Sequence, residues 1–239
     1  MKLDHYSYSG TGGRENNEDA IGLKIRDDRG IFIVADGLGG YGKGELASAC
    51  VIETVLKKFG DDEGQGADIA ESLALANENI LKLQEEHRAI MKSTAVVLSI
   101  DDDTATWGHV GDSRLYYIHD GKISYITHDH SVAYKKYAAG EIKRSEIGKD
   151  DDQPTLLRAL GSRDRYETEL CSEPVTVGRG DAFMLCTDGL WTYLQDDEVL
   201  YEYLRAEDAK DWGSRLLERV NKNVDGSNDN LSLITVIVN

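Results

Sequence analysis

The chain is short of proline, cysteine and positive charge, and each shortage excludes something. Two prolines in 239 residues, Pro154 and Pro174, leave no Pro-rich linker, and neither a low-complexity stretch nor an internal repeat breaks the sequence. Three cysteines, Cys50, Cys171 and Cys186, are odd in number and widely spaced, so free buried thiols are expected rather than a disulfide framework. No apolar run reaches the ~18 residues of a membrane span. The opening Met1-Lys2-Leu3-Asp4-His5 lacks a charged-then-apolar leader, so a cytoplasmic protein is expected. With 27 Lys and Arg against 44 Asp and Glu, the formal charge of -17 argues against nucleic acid or an anionic membrane as the main partner. A phosphorylated ligand would need local positive charge to approach. The six histidines are scattered, with no His/Cys cluster of the kind zinc prefers. The length suits one domain spanning residues 1–239.

What is present is a set of carboxylates at the ends of apolar runs. Asp36-Gly37-Leu38-Gly39-Gly40 closes the run Ile31-Phe32-Ile33-Val34-Ala35. Asp19 opens residues 20–25, Asp188 closes 182–187, and Asp229 lies just before 231–238. In antiparallel sheets the start of one strand lies beside the end of its neighbour, so these four acids can share one sheet edge. If the first two runs form a hairpin turning at Asp27-Asp28-Arg29-Gly30, Asp19 and Asp36 face each other. Two adjacent carboxylates repel and raise each other's pKa unless something positive lies between them, and a divalent cation is the economical answer.

Strand-like runs fall at about 5–11, 19–26, 30–36, 93–100, 104–110, 113–119, 122–127, 168–176, 181–187 and 230–238. Helical periodicity marks about 43–59, 67–88, 196–206 and 208–222. Two batches of strands, each adjoined by a helix pair, predict an α+β sandwich of two packed sheets with helices outside, not alternating βαβ units.

Asp, Glu and carbonyl oxygens are hard ligands that suit Mg²⁺ or Mn²⁺. Two such ions can activate a water and clamp a phosphoryl group during in-line attack. Arg14, after Gly10-Thr11-Gly12-Gly13 and before Glu18-Asp19, offers a guanidinium suited to phosphate. Gly111-Asp112-Ser113-Arg114 adds another strand-end acid, and Gly39, Gly40, Gly42 and Gly44 let the backbone bend closely around an ion. Taken singly, each feature has a plainer reading. A lone Asp-Gly is usually a turn, Arg14 and Arg114 are more often surface ion pairs, and Asp112 or Asp129 can merely cap a turn or helix. The runs Asp101-Asp102-Asp103 and Asp150-Asp151-Asp152 read as solvated surface. Residues 225–230 are rich in oxygen, but their spacing fails the EF-hand pattern.

The motifs occurring together in order resemble the PPM family of metal-dependent protein Ser/Thr phosphatases, the type-2C phosphatases. The resemblance runs through residues 14–19, Asp36-Gly37-Leu38-Gly39-Gly40 with 44–48, Ser93-Thr94-Ala95-Val96-Val97, 111–116, Asp129-His130-Ser131, Arg158-Ala159-Leu160-Gly161, Thr187-Asp188-Gly189-Leu190 and Asp229-Asn230. It implies a four-layer α-β-β-α sandwich, two antiparallel sheets flanked by helix pairs, with two Mn²⁺ or Mg²⁺ ions at one end. By that match Asp36 bridges both ions, the Gly37 carbonyl contributes, Asp188 and Asp229 complete one shell, and Glu18 and Asp19 act mostly through water. Asp112, with Asp188, matches the holder of a weaker third ion, and Arg14 matches the phosphate-binding arginine. Leu38 stands where the eukaryotic branch carries a histidine proposed as general acid, so the chain is similar to the bacterial branch. Residues 134–157 match a flap beside the site, with Lys135, Lys136, Lys143 and Arg144 as candidates for substrate contact.

The implied reaction is hydrolysis of phosphoserine or phosphothreonine on proteins. A partner Ser/Thr kinase is the expectation drawn from bacterial relatives, and the chain is expected to be a monomer. Two alternatives remain open: an inactive phosphatase fold serving as a binding or sensor module, and a phosphatase of small molecules. The first usually loses a metal carboxylate, whereas Asp19, Asp36, Asp188 and Asp229 are all present.

Overall fold

Aspartates make the tight turns. In the computed structural model, which describes residues 2–39, 43–61 and 68–239, β2 (Asp19–Arg26) and β3 (Arg29–Gly39) form a hairpin whose register sets Asp19 opposite Asp36, as predicted. Its two-residue turn places Asp27 at φ 51°. The hairpin of β5 (Ala95–Asp101) and β6 (Thr104–Val110) turns with Asp102 at φ 52°. That of β7 (Arg114–His119) and β8 (Lys122–Ile126) turns through Asp120 and Gly121, at φ 50° and 66°. Asp tolerates the left-handed region because its short side chain bonds locally. The expected solvated Asp101–Asp103 run is therefore also a hairpin tip. Gly40, Gly42 and Ala67, the expected first residue of the second helix, lie outside the described residues.

The remaining strands are β1 (Leu3–Gly10), β4 (Met91–Ser93), β9 (Glu169–Leu170), β10 (Val175–Thr176), β11 (Ala182–Cys186) and β12 (Leu231–Val238). One sheet runs β1-β12-β11-β7-β8 and the other β10-β6-β5-β3-β2, with β4 added against β3 and β9 against β6. Two expected strands are interrupted. Residues 93–100 break at Thr94, whose N–H turns to the Asp36 carbonyl at 2.8 Å. Residues 168–176 divide into β9 and β10 around Pro174, which has no N–H to continue a ladder.

Alternation along the strands sorts three cores. Ile31, Ile33 and Ala35 of β3 face α1 (Gly44–Asp61) and α2 (Ile69–His87), contributing to one cluster with Val51, Leu73 and Ile80. Phe32 and Val34 point the other way, meeting Phe183, Leu185, Ile234 and Val236 of the second sheet. The far face of that sheet, with Tyr116, Met184 and Leu233, packs against α5 (Asp196–Arg205) and α6 (Ala209–Asn223) through Val199, Trp212 and Leu216. Each such fully buried side chain contributes roughly 1.5–3 kcal/mol. The result is the four-layer α-β-β-α sandwich of two antiparallel sheets. The short helices α3 (Val132–Ala138) and α4 (Asp188–Trp191), and a 3-10 turn at Arg144–Lys149, lack the length for periodicity to announce them. Among the described residues no helix is long and apolar enough to cross a membrane.

Candidate metal centre

The sandwich gathers the strand-end acids around one cavity of about 430 Å³, lined by Arg14, Glu18, Asp36, Gly37, Asp112, Asp188 and Asp229. Asp19, 8% exposed, completes the set from its place opposite Asp36 on the β2–β3 ladder. The candidate acids, Gly37 and Arg14 thus arrive at the same end of the sheets, carried by segments up to 215 residues apart. Asp188 is not the last residue of a strand but the first of α4, with Thr187 between it and β11.

The electrostatics are those of a cluster that opposes its own ionisation. Burial raises Asp19 to about 7, with the nearby charges of Asp188 and Asp229 adding, against hydrogen bonds from Ser232 and Thr187. Burial, then the carboxylates of Asp188, Asp19, Asp112 and Asp229, hold Asp36 well above the usual range. Asp112 is likewise driven up by burial and by Asp188. Asp188 and Glu18 are raised chiefly by burial, with hydrogen bonds from Gln153 and the Gly44 N–H respectively opposing the rise. A cation among them would reverse these directions.

Asp19 Oδ1 and Asp188 Oδ1 are buried without a hydrogen-bond partner. An orphaned buried carboxylate oxygen is costly unless something positive takes its lone pairs. All-oxygen donors of this kind fit Mg²⁺ or Mn²⁺. The approach to them is also shaped: a Cβ on Gly37 would overlap the carbonyls of Gly44 and Glu18, so β3 and the start of α1 meet backbone to backbone.

Supporting residues hold the acids in place. The Asp36 carbonyl accepts from the Thr94 N–H at 2.8 Å, and Thr94 Oγ1 accepts from the Asp36 N–H at 2.9 Å and lies 2.7 Å from Ser113 Oγ. Thr187 Oγ1 donates to Asp19 Oδ2 at 2.9 Å and accepts from the Ser232 N–H. Asn230 Oδ1 accepts from the Glu18 N–H at 2.8 Å, while its Nδ2 donates to the carbonyls of Thr11 and Asn16, tying both ends of the chain together at the site. Sequence reading gave these residues no role. Their signal is that they lie in motifs of the resemblance, Ser93-Thr94, Thr187-Asp188 and Asp229-Asn230.

Arg14 stands at the cavity mouth, its Nη2 2.9 Å from Asp229 Oδ2, with side chains 58% and 47% exposed. Arg114 does something different from the surface pairing considered for it. It is buried, donates to both Asp129 oxygens at 2.8 and 2.7 Å, and lies 3.5 Å over the Trp191 ring, whose Nε1 donates to the Asp112 carbonyl. Asp129 is therefore the partner of Arg114, and the cap of α3 is Ser131. Leu38 lines the cavity and offers no proton.

The flap cations divide. Lys136 is taken by Asp150 and Asp152 at 2.8 and 2.7 Å, and Arg144 by Asp196, while Lys135 and Lys143 stay exposed. Two of the four candidates for substrate contact thus serve the protein itself.

The scattered histidines are not all apart in space. His109 and His130 stack with ring centroids 4.6 Å apart, and with Glu169 place their ligand atoms within 4.8 Å of one another. Hydrogen bonding argues against a metal there. The Gly111 N–H donates to His130 Nδ1, which puts the proton on Nε2, facing Glu169 Oε2 at 3.3 Å. That bond holds Glu169 down at about 2, while burial, then His130, keep His109 neutral at about 4.

The protein phosphatase 2C family model matches residues 12–232. A putative 2C-type protein phosphatase of Streptococcus pyogenes is 29% identical over 198 residues, covering 78% of each chain. Among solved structures, the catalytic domain of the serine/threonine protein phosphatase PstP in complex with two manganese ions superposes with a TM-score of 0.83 at 27% identity, over 99% of both chains. The Streptococcus agalactiae serine/threonine phosphatase gives 0.87 at 22% identity over the whole of both chains, a likeness of fold.

Proposed function

Because the chain belongs to the protein phosphatase 2C family, we propose that it hydrolyses phosphoserine and phosphothreonine on proteins with the help of two Mn²⁺ or Mg²⁺ ions held by its acid cluster. The observation that carries the reading is the convergence of Asp19, Asp36, Asp188 and Asp229 with two buried, orphaned carboxylate oxygens among them. Asp36 and the Gly37 carbonyl would be the central ligands, Asp188 and Asp229 would complete the set with Glu18 and Asp19 in support, and Asp112 with Asp188 would offer a further, weaker position. Bound ions supply an activated water and neutralise charge on the transferred phosphoryl group.

The chain's own residues do the rest. Arg14 reaches the cavity from an exposed pairing with Asp229, and such exposed pairs are worth little, about 0–1 kcal/mol. An incoming phosphate, which offers a guanidinium two oxygens at once, can therefore take Arg14 readily. The acids around it repel an unaccompanied phosphate, so binding should depend on cation loading. Thr94, Thr187 and Asn230 hold the carboxylates against their mutual repulsion before substrate arrives. With leucine at position 38, leaving-group protonation does not come from that position.

A phosphoserine or phosphothreonine in a protein is made by a kinase using ATP, so the proposal includes a Ser/Thr kinase as the source of substrate and the cytoplasm as the place of reaction. The chain is taken to act as a monomer. The test is phosphate release from a phosphothreonine peptide with Mn²⁺, Mg²⁺ or EDTA, beside a phosphotyrosine peptide and the Asp36→Asn variant. Release should need the cation, favour phosphothreonine, and fall more than about 100-fold in the variant, beyond the usual loss on removing a supporting partner. Undiminished turnover in Asp36→Asn would refute the site. No release by a folded, cation-loaded protein would point to a small-molecule substrate or a binding module.

A further inference from the structure

The flap sends one side chain into the acid cluster. Gln153 is buried, and its amide nitrogen donates to Asp112 Oδ2 at 3.2 Å and to Asp188 Oδ2 at 3.1 Å. Asp112 lies between β6 and β7 and Asp188 begins α4, so one carboxamide joins three segments remote in sequence. Its orientation follows from its partners, since carboxylates accept and only the NH₂ end can face both. The partial positive charge of that group stands where two like charges converge.

The turn that presents Gln153 is braced for the purpose. Its N–H donates to the Asp150 carbonyl and the Thr155 N–H to that of Asp152, both at 3.0 Å. Lys136, on α3, grips the side chains of Asp150 and Asp152. Beyond the turn the flap is anchored again, by the Leu157 N–H donating to the His130 carbonyl at 2.7 Å and a β-bridge between Ser131 and Leu156. Anchored at both ends, the turn lines the cavity with Pro154 and Leu156, and among the described residues its side-chain hydrogen bonds to the cluster come from Gln153.

On the phosphatase reading above, we propose that Gln153 is a positioning residue which holds the flap closed over the Asp112–Asp188 pair, and that a divalent cation on this pair displaces the amide and frees the flap. The amide presents only the positive ends of two N–H dipoles, whereas a cation brings a full double charge to the same carboxylates. The two are of one sign and repel within the same pair of acids. Closure of the flap and loading of the pair then exclude each other through one side chain.

The experiment is hydrogen–deuterium exchange of flap peptides in the full chain, in EDTA and in about 10 mM Mg²⁺, for the wild type, Gln153→Ala and Gln153→Glu. The wild-type flap should exchange slowly in EDTA and several-fold faster with Mg²⁺. Gln153→Ala should exchange fast in both. Gln153→Glu should invert the wild-type response, fast in EDTA because three carboxylates repel, and slow in Mg²⁺ because the new carboxylate can ligate. A wild-type flap indifferent to Mg²⁺, or a Gln153→Glu variant without the inversion, would overturn the proposal, leaving Gln153 a packing residue. The readout needs no turnover. A protein that shows the inversion but releases no phosphate keeps the tether and loses the phosphatase reading.

Discussion

Arg114 shows how much one residue's meaning depends on burial. On the surface its pairing with Asp129 would contribute little. Buried at 5% exposure, bonded to both carboxylate oxygens and stacked on Trp191, it is a charge balanced by direct contact with Asp129. Asp129→Ala should therefore cost roughly 3–5 kcal/mol, because it strands a buried guanidinium. The double change Arg114→Met with Asp129→Leu should recover most of that loss. Urea unfolding of the three proteins checks both, and a single variant losing under about 1 kcal/mol would show that water reaches the guanidinium. The sequence could display Arg114 and Asp129 but not their union, since 15 residues and a hairpin separate them.

At the scale of elements, the β2–β3 hairpin was legible and the contact of β3 with α1 was not. A two-residue turn fixes register locally, so Asp19 and Asp36 could be paired by counting. The meeting of Gly37 with Gly44 depends on how a helix crosses a strand end, which no periodicity encodes. It is nonetheless a junction with no room for a side chain, because a Cβ on Gly37 would overlap the Gly44 carbonyl. Gly37→Ala should push α1 away from β3, cost about 1–3 kcal/mol by overpacking, and weaken Mn²⁺ binding by more than tenfold. Calorimetric titration beside an unfolding curve tests this, and unchanged Mn²⁺ affinity would remove Gly37 from the site. The short elements α3 and α4 escaped sequence reading for a related reason: helices of seven and four residues are held by tertiary contacts, not by an amphipathic pattern of their own.

For the whole molecule, the acid cluster makes stability depend on pH in an unusual direction. Asp19 is raised from 3.8 to about 7, and Asp36, Asp112 and Asp188 move the same way. The folded metal-free protein therefore holds protons that the unfolded chain has released, and this stability is lost as pH rises through about 7. His109 works oppositely. Lowered from 6.5 to about 4, it costs stability as pH falls below 6.5, where the unfolded chain takes a proton that the core refuses. In EDTA the melting temperature should fall as pH rises from about 5 to 8, less steeply below 6.5 where His109 opposes the four acids, and saturating Mn²⁺ should flatten the slope. Calorimetry across that range decides it; a metal-free melting temperature that climbs with pH above 6.5 would contradict the picture.

The sequence by itself determined most of the strands, the two helix pairs, the turn at Asp27-Asp28 and the identity of the acids that gather at one end. All of these rest on local rules: period-two and period-3.6 burial, Asp at tight turns, strand starts beside strand ends. Only the tertiary structure decided what stands beside those acids. Thr187 reaches Asp19 across 168 positions, Asn230 reaches Thr11 across 219, and Gln153 reaches both Asp112 and Asp188 from the flap. Such contacts have no period and no characteristic spacing, because they arise where separately formed layers meet. Burial there, not residue type, turns a set of carboxylates into a cluster that a cation would stabilise.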